Sequence, residues 1–237
     1  VNARAWPMSR VDGRSPSQVR PFAVEFGCIS HADGSARWQQ GGTCVIASVG
    51  YVPLLEPHGP DAMPSEGPHL TIVCRLSTPS LRRALQEKEL QVLLRKALRS
   101  ACIGSDLAGM GLSVAVHVLS MDGAVLGCSL NAAVLALLHA GVAMDALLVA
   151  VHFVCTAAGA VLVDPTEAEE ECSTGWGYFV CATSTRAPAR LVASVTRGLD
   201  DMQLLKCLWN APLSCTTVAH QLREWLPHVL RYGSGSC

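Results

Sequence analysis

The fold is decided by the stretch MDGAVLGCSLNAAVLALLHAGVAM, residues 121–144. From residue 123 onward it contains no Asp, Glu, Lys or Arg, and this run is long enough to cross a bilayer. Ser129, Asn131 and His139 interrupt the apolar run, and two glycines lie where a strand or helix would break. We therefore predict the end of a buried strand followed by a buried helix, and not a membrane span.

The composition is that of a globular protein with a large aliphatic core. The chain has 237 residues, of which 50% are hydrophobic and only 5% are aromatic. Its mean hydropathy is +0.31. This length fits one large domain or two small ones. The formal net charge of -1 excludes a general attraction to nucleic acid, so any RNA contact must be local or come from a partner.

The eleven cysteines do not form a recognisable framework. The chain has no C-x-x-C pair and no Cys/His cluster at the spacing of zinc ligands. We predict free thiols that behave as small hydrophobic side chains, as in a reducing compartment.

Three alternating apolar runs near the N-terminus predict an antiparallel meander of strands. These runs cover residues 22–30, 35–39 and 43–49, and short glycine turns join them. The chain then continues with a proline-rich loop (54–69), a strand (69–76), a helix (85–103), a strand (112–119) and a buried helix (131–139).

The C-terminal part repeats the order of strands followed by helix. We predict strands at 147–155, 161–163, 177–183 and 191–195, then a helix from Asp200 to about Trp209 and an amphipathic helix at 216–232. The whole pattern indicates an α+β fold, with mixed β-sheets packed with helices in a two-lobed single domain. We place this domain at residues 21–232, between a flexible N-terminal arm (1–20, which lacks the apolar run of a signal peptide) and a flexible tail (233–237).

Several short motifs follow one another along the chain. They are RVDGR (10–14) with VRP (19–21), DGSA (33–36) with GTCV (42–45), LNAA (130–133), and VDPT (163–166). Each motif is weak by itself, but their joint order resembles the RNase PH family over most of residues 11–232. The VDPT motif resembles the L-D-P-T of one branch, the RNase PH-like ring subunits of the eukaryotic exosome.

The resemblance implies a phosphorolytic site that has lost its cations. In active relatives two arginines hold the attacking phosphate, because a guanidinium binds phosphate oxygens in pairs. The matching positions here are Gln86 and Leu126, whereas the two acidic positions match Asp164 and Glu170. Each charge-assisted hydrogen bond contributes about 1.5–3 kcal/mol. The loss of both arginines should therefore weaken phosphate binding, or raise the activation barrier of phosphorolysis, by about 3–6 kcal/mol. Asp164 and Glu170 also fit ordinary turn and surface roles.

The resemblance also implies fewer contacts with RNA than in active relatives. The family's G-P-R-E motif after the third strand has no counterpart, because Pro53 is followed by Leu54 and an enlarged loop. Arg82 and Arg83 are the candidate RNA-binding residues, and they could move toward the gap left at Gln86. A flexible loop is nevertheless a poor substitute for a preorganised donor.

The resemblance therefore implies a non-catalytic structural subunit of the exosome core ring that binds neither a cofactor nor a metal. Such a subunit pairs with other RNase PH-like subunits within a six-membered ring, below cap subunits and beside an associated hydrolytic nuclease. RNA passes through the channel of this ring during rRNA maturation and RNA turnover. The implied location is the nucleus, with the nucleolus, and the cytoplasm.

Two other interpretations remain open. The chain could be an active phosphorolytic 3′→5′ exoribonuclease of RNase PH type whose partner subunit supplies the missing cations. It could also be a small-molecule-binding or phosphate-sensing α/β domain. The replaced positions Gln86 and Leu126 argue against the first, and co-purification with a nuclease would argue against the second.

Overall fold

The computed structural model describes Arg10 and residues 12–53, 70–76, 81–99 and 110–232. These residues form two sheets with helices between and beside them, so the predicted α+β fold is confirmed. The proline-rich loop predicted at 54–69 and the tail at 233–237 lie outside the described residues. Within the described part, no helix combines the length and the apolar composition needed to span a membrane.

The first sheet has five strands in the order β1-β2-β3-β5-β4. They are β1 (Phe22–Phe26), β2 (Gly34–Gln40), β3 (Thr43–Pro53), β4 (Leu70–Leu76) and β5 (Met110–Ser120). The pairs are antiparallel except β4 with β5, which is parallel. The predicted meander of the first three strands is confirmed. Trp38 of β2 is fully buried on the inner face and stacks on Phe22, with ring centroids 4.4 Å apart.

Helix α1 (Leu81–Arg99) connects β4 to β5, and helix α2 (Val125–His139) follows β5. Helix α2 packs against β2 and β3 of the first sheet and against β6 (Leu147–Cys155) of the second. Its residues from Gly127 to Leu137 are all buried, as the uncharged stretch predicts. The Asn131 amide binds the backbone of Ala150 in both directions, at 2.9 and 3.3 Å. This buried amide therefore fixes the helix against the second sheet without leaving a polar atom unpaired.

The second sheet is antiparallel throughout, with the order β7-β6-β8-β9. Its remaining strands are β7 (Val161–Val163), β8 (Gly175–Thr183) and β9 (Arg190–Arg197). The strands β6 and β7 begin and end where the apolar pattern predicts. A five-residue helix, α3 (Glu167–Glu171), follows β7 and was not predicted. It is held by a capping box between Thr166 and Glu169.

The C-terminal helix corrects one prediction. We predicted two helices separated near residue 212, whereas α4 (Asp201–Tyr232) is continuous, with Pro212 and Pro227 inside it. A proline in a helix interior costs about 3 kcal/mol because it removes a hydrogen bond and crowds the preceding turn. A buried strip of α4 that packs against β6 and β8 continues past Pro212, and its burial offsets the cost of that proline. The members of the strip are Cys207, Ala211, Cys215, Val218, Ala219 and Leu222.

The N-terminal boundary of the domain also needs correction. Arg10 and Arg20 are each only 5% exposed, and Val163 donates its backbone N–H to Pro16 at 2.8 Å. These contacts place Arg10 and residues 12–20 in the folded domain, so these residues are not part of a flexible arm.

The thiols give a direct test of the packing. The eight cysteines whose side chains the structure describes are free, and of these only Cys28 and Cys172 are exposed. Burial raises the pKa of Cys207 to about 12, which keeps its thiol protonated at neutral pH.

We expect an alkylating reagent to modify Cys28 and Cys172 quickly in the native protein and Cys207 only after unfolding. Mass spectrometry of alkylated peptides would show this, and titration in denaturant without reductant should recover all eleven thiols. Several stable disulfides would contradict the prediction.

Candidate functional site

The candidate site forms where two loops meet. One is the turn of Asp122, Gly123 and Ala124 between β5 and α2, and the other joins β7 to α3. A β-carbon built on Gly123 would lie 2.3 Å from the Pro165 carbonyl oxygen, which shows how closely the two backbones approach. The Thr43 hydroxyl holds the turn, since it donates to Gly123 O at 2.7 Å and accepts from Asp122 N at 2.9 Å.

Asp164 lies at the centre of this site and is buried, with only 3% of its surface exposed. Its backbone is left-handed, with φ of 50°, which aims the carboxylate back toward the N-terminal segment. The Arg20 guanidinium donates to Asp164 Oδ2 through Nε at 2.9 Å and to Oδ1 through Nη2 at 2.7 Å. The Arg20 backbone N–H adds a third bond, to Oδ2 at 2.7 Å. Both oxygens of this carboxylate are therefore engaged within the chain.

Arg20 uses its remaining donors on the same two loops. Its Nη1 donates to Asp122 O at 2.7 Å, and its Nη2 donates to Pro165 O at 3.2 Å. Burial alone would lower the pKa of Arg20, but the hydrogen bonds and charge of Asp164 outweigh burial and raise that pKa above its ordinary value. Arg20 is thus a permanent cation that joins three segments of the chain.

Arg10 and Arg14 extend this cluster. Arg10 forms a two-point ion pair with Glu169, through Nε at 2.9 Å and Nη2 at 2.6 Å. Arg14 pairs with Asp12 at 2.5 Å and lies 3.5 Å from an Asp164 oxygen. The RVDGR and VRP motifs therefore supply three cations that hold the loop of residues 163–170. The sequence shows these motifs but does not predict that they hold the loop of residues 163–170. Ion pairs between residues about 150 positions apart leave no local pattern in the sequence.

Glu170 occupies the N-terminal end of helix α2. Its Oε1 accepts a hydrogen bond from the backbone N–H of Ala124 at 2.6 Å. The same oxygen lies 2.9 Å from Nδ1 of His152, whose ring is buried and stacks on Tyr178 with centroids 3.9 Å apart. The contact with His152 has the distance of an ion pair but not hydrogen-bond geometry. Within the described part of the chain, neither ring nitrogen of His152 has a hydrogen-bond partner.

The structure gives mixed outcomes for the predicted site residues. It brings Leu126, Asp164 and Glu170 to one place, and Leu126 is half-buried against the core. Gln86 lies in α1, as do Arg82 and Arg83, but these three side chains are outside the described part, so their predicted roles stay predictions. Of the ordinary turn and surface roles considered for Asp164, the structure shows a turn position, with the side chain buried in an ion pair that the sequence does not reveal.

In the described ranges, no group of three or more His, Cys, Asp or Glu side chains is placed to hold a metal ion. His117 is exposed on β5, and His152 is buried as its apolar surroundings predict.

Comparison with known proteins identifies the family. The family model for the RNase PH type, described as 3′ exoribonuclease family, domain 1, matches residues 18–143. This chain belongs to the RNase PH family. The match covers the first sheet from β1 onward, α1 and α2, which includes Leu126 in the first turn of α2. It confirms the resemblance drawn from the motifs.

Individual members of the RNase PH family support this result over nearly the whole chain. The chain is 31% identical to the rice protein named exosome complex exonuclease RRP46 homolog, over 92% of this chain and 95% of that protein. The Arabidopsis protein of the same name is also 31% identical, over 81% of this chain and 78% of that protein. The crystal structure of rice Rrp46 superposes with a TM-score of 0.79 at 29% identity, over 90% of this chain and 98% of that one. An archaeal exosome core shares the fold, with a TM-score of 0.76 at 22% identity, over 91% of each chain.

Ala124 allows a test of the backbone of this turn. Its φ of 52° is left-handed, which costs a residue with a β-carbon about 1–2 kcal/mol. In Ala124→Gly, relief of this strain should offset the greater chain entropy of glycine, about 1 kcal/mol, and the loss of one buried methyl group, about 0.8 kcal/mol. We expect the free energy of unfolding in urea to change by less than about 0.5 kcal/mol.

The matched control is Ala133→Gly in the buried middle of α2. This variant has the same greater chain entropy and the same loss of a buried methyl group, but no relief of strain. Its free energy of unfolding should therefore fall by about 2 kcal/mol. Equal losses at Ala124 and Ala133 would show that the left-handed turn is not the native conformation.

Proposed function

We propose that this chain is a non-catalytic subunit of an exosome core ring, which supports 3′→5′ RNA processing and degradation by holding neighbouring subunits and helping to line the RNA channel. The observations that carry the proposal are two features of the start of α2: Leu126 in its first turn, and Glu170 bound to the backbone of Ala124. An apolar side chain stands where active relatives place an arginine, and a carboxylate accepts the Ala124 N–H beside it.

The charges around the site support this proposal. Phosphorolysis brings inorganic phosphate to a phosphodiester, so two anions must meet and fixed cations are needed. Among the described residues, the arginines nearest the site are Arg10, Arg14 and Arg20, and each is paired with a carboxylate of the chain. These pairs stabilise the loops and engage all three guanidinium groups within the chain.

Retained acids do not by themselves support an active enzyme. Asp164 has both oxygens bound by Arg20, so it is poorly placed to move a proton or to hold a metal. Glu170 is bound to the helix end instead of facing an open cleft.

An exposed apolar strip supports the part of the proposal that concerns assembly. Met202, Leu205, Trp209 and Leu213 lie along α4 at helical spacing, and Trp209 is 79% exposed. Clustered exposed apolar side chains usually mark a protein interface. The two plant relatives are named exosome complex exonuclease RRP46 homolog, and the subunits of such a complex are partners that fit this strip.

The proposal extends to the cellular setting. The partners would be other RNase PH-like subunits in a six-membered ring, cap subunits and an associated hydrolytic nuclease, with RNA in the channel. The processes would be rRNA maturation and RNA turnover, in the nucleus and nucleolus and in the cytoplasm. Fluorescence microscopy of a tagged chain together with a nucleolar marker tests the location, which would be contradicted by a signal confined to another organelle.

Assembly can be tested by co-expression with other RNase PH-like exosome subunits of the same organism. We expect a stable 1:1 complex in sedimentation experiments, with more than about 2,000 Å² buried, as in obligate interfaces. A chain that remains a well-behaved monomer beside every such subunit would contradict the structural role.

A further inference from the structure

We propose that Cys181 and Cys215 form a disulfide bond when hydrogen peroxide oxidises the native protein, and that this bond joins helix α4 covalently to strand β8. Both thiols are free in the structure, so the bond is a second, oxidised state that a reductant reverses. The inference does not depend on the proposed function, because it concerns the packing of α4 on the second sheet and not the start of α2.

The two thiols lie in contact inside the protein. Both residues are fully buried, and their thiol groups hydrogen-bond to each other. A separate contact fixes the position of Cys215, whose Sγ donates to the carbonyl oxygen of Val149 at 3.4 Å. Val149 of β6 lies directly opposite Cys181 in the ladder that pairs β6 with β8. The packing of the helix on the sheet therefore places the two sulfur atoms side by side, as a disulfide requires.

The two thiols differ in how readily they ionise. The hydrogen bond with Cys215 lowers the pKa of Cys181 below its ordinary value. Burial raises the pKa of Cys215 well above its ordinary value. Peroxide reacts with thiolates and not with thiols, so Cys181 is the nucleophile of this pair and Cys215 is the thiol that completes the bond.

The reaction consumes one molecule of hydrogen peroxide in two steps. The Cys181 thiolate attacks one peroxide oxygen, the O–O bond breaks, and Cys181 becomes a sulfenic acid while hydroxide leaves and takes up the proton of the Cys181 thiol. Cys215 then attacks the sulfenic sulfur, the S–O bond breaks, and the S–S bond forms while water leaves with the proton of Cys215. Two thiols are thus oxidised to one disulfide, and peroxide is reduced to two molecules of water.

Both thiols lie beside local irregularities of the backbone. Pro212 interrupts the hydrogen-bond ladder of α4 in the turn before Cys215, because proline has no backbone N–H. The pairing of β8 with β9 shifts register between Val180 and Cys181, and such a bulge leaves one residue of the ladder unpaired. Segments with fewer backbone hydrogen bonds open more often than regular core elements. Peroxide, which is hardly larger than water, therefore reaches Cys181 without global unfolding.

A second pair of thiols gives an internal comparison. Cys155 of β6 and Cys207 of α4 are also fully buried, and their thiol groups hydrogen-bond to each other. Burial raises the pKa of both thiols, to about 12 for Cys207. This pair joins the same helix to the same sheet but offers no ready thiolate, so we expect it to stay reduced while Cys181 reacts.

The test uses the full chain in its reduced form, with exposed thiols alkylated under native conditions. Hydrogen peroxide is added, the remaining thiols are blocked in denaturant, and the peptides are mapped by mass spectrometry without reductant. We expect one cross-link, between Cys181 and Cys215, with the loss of two hydrogen atoms. We expect no cross-link between Cys155 and Cys207.

Thermal unfolding measures the consequence of the cross-link. The oxidised chain should unfold at a midpoint roughly 5–15 °C higher, since a disulfide restricts the unfolded chain and the effect on a protein of this size is of that order. Dithiothreitol should return the midpoint to its original value. This reversal separates the disulfide from oxidation of methionine, which dithiothreitol does not reverse.

Two variants assign the roles of the thiols. Cys215→Ser keeps a hydrogen-bond donor beside Cys181 but cannot form the disulfide, so the reaction should stop at a sulfenic acid that dimedone labels at Cys181. Cys207→Ser is the matched control, because it makes the same replacement at another fully buried position of α4. It should form the cross-link between Cys181 and Cys215 as the parent chain does.

The peptide map of the parent chain decides the question without relying on the folding of any variant. The proposal would be overturned if the native parent chain formed no link between Cys181 and Cys215 at a peroxide concentration that fully oxidises the exposed Cys28 in a parallel, unalkylated sample. Equal linkage of Cys155 with Cys207 would also overturn it, as would a reversible rise of the midpoint that persists in Cys215→Ser.

Discussion

Replacing Arg20 with methionine should lower the free energy of unfolding by about 3–5 kcal/mol, because the buried Asp164 carboxylate loses its two-point counterion and keeps only Arg14, 3.5 Å away. The side chains of Arg20 and Asp164 are only 5% and 4% exposed. Arg20 also donates to the carbonyl groups of Asp122 and Pro165, so the variant leaves acceptors of two loops unpaired. Urea unfolding followed by circular dichroism measures the loss.

Two further variants show whether the loss comes from the buried charge. Arg37→Met breaks the exposed pair with Glu25, whose side chains are 36% and 49% exposed, and should cost less than about 1 kcal/mol. Arg20→Met combined with Asp164→Asn removes both buried charges of this pair and should recover part of the loss, in a double-mutant cycle with a coupling of about 1–3 kcal/mol. Strict additivity of the two single changes would show that Arg20 and Asp164 do not interact in solution.

Replacing Gly123 with alanine should lower the free energy of unfolding by more than about 3 kcal/mol, since two costs act together. The residue has a φ of 76°, which disfavours any β-carbon. The new β-carbon would also lie 2.3 Å from Pro165 O and 2.9 Å from Glu167 N, so the two loops of the site would have to separate.

Gly159→Ala is the matched control for this prediction. Gly159 has the same φ of 76°, and among the described residues no atom comes within 4 Å of the position of its β-carbon. It should therefore show only the backbone cost, about 1–2 kcal/mol in thermal or urea unfolding. If the two variants lose the same free energy, the close approach of the loops at Gly123 is not present in solution.

The elements predicted well are those with a continuous apolar run in the sequence. Such runs located β6, β7 and α2, because a strand buried on both faces and a buried helix both exclude charge. The family resemblance rested on short motifs, and the match over residues 18–143 confirms it.

The elements predicted poorly depend on partners far along the chain. The continuous α4 passes through Pro212 because its buried face packs on strands formed about fifty residues earlier. The surface role considered for Asp164 failed because Arg20 lies 144 residues away, and nothing near either residue indicates the pair. Likewise, no local pattern shows that Glu170 reaches Ala124, since Glu167 and Glu171 in the same short helix have the same chemistry.

The measurement that tests the account most directly is nucleoside diphosphate release from RNA with a 3′ tail, in the presence of inorganic phosphate and magnesium. An active RNase PH enzyme serves as the positive control, and products are quantified by chromatography. The account predicts that the purified chain releases no diphosphate above the buffer background, because Leu126 cannot hold phosphate and Glu170 fills the adjoining helix end. The account would be contradicted by release that requires phosphate, scales with protein concentration, and is lost in Glu170→Ala but kept in Glu171→Ala.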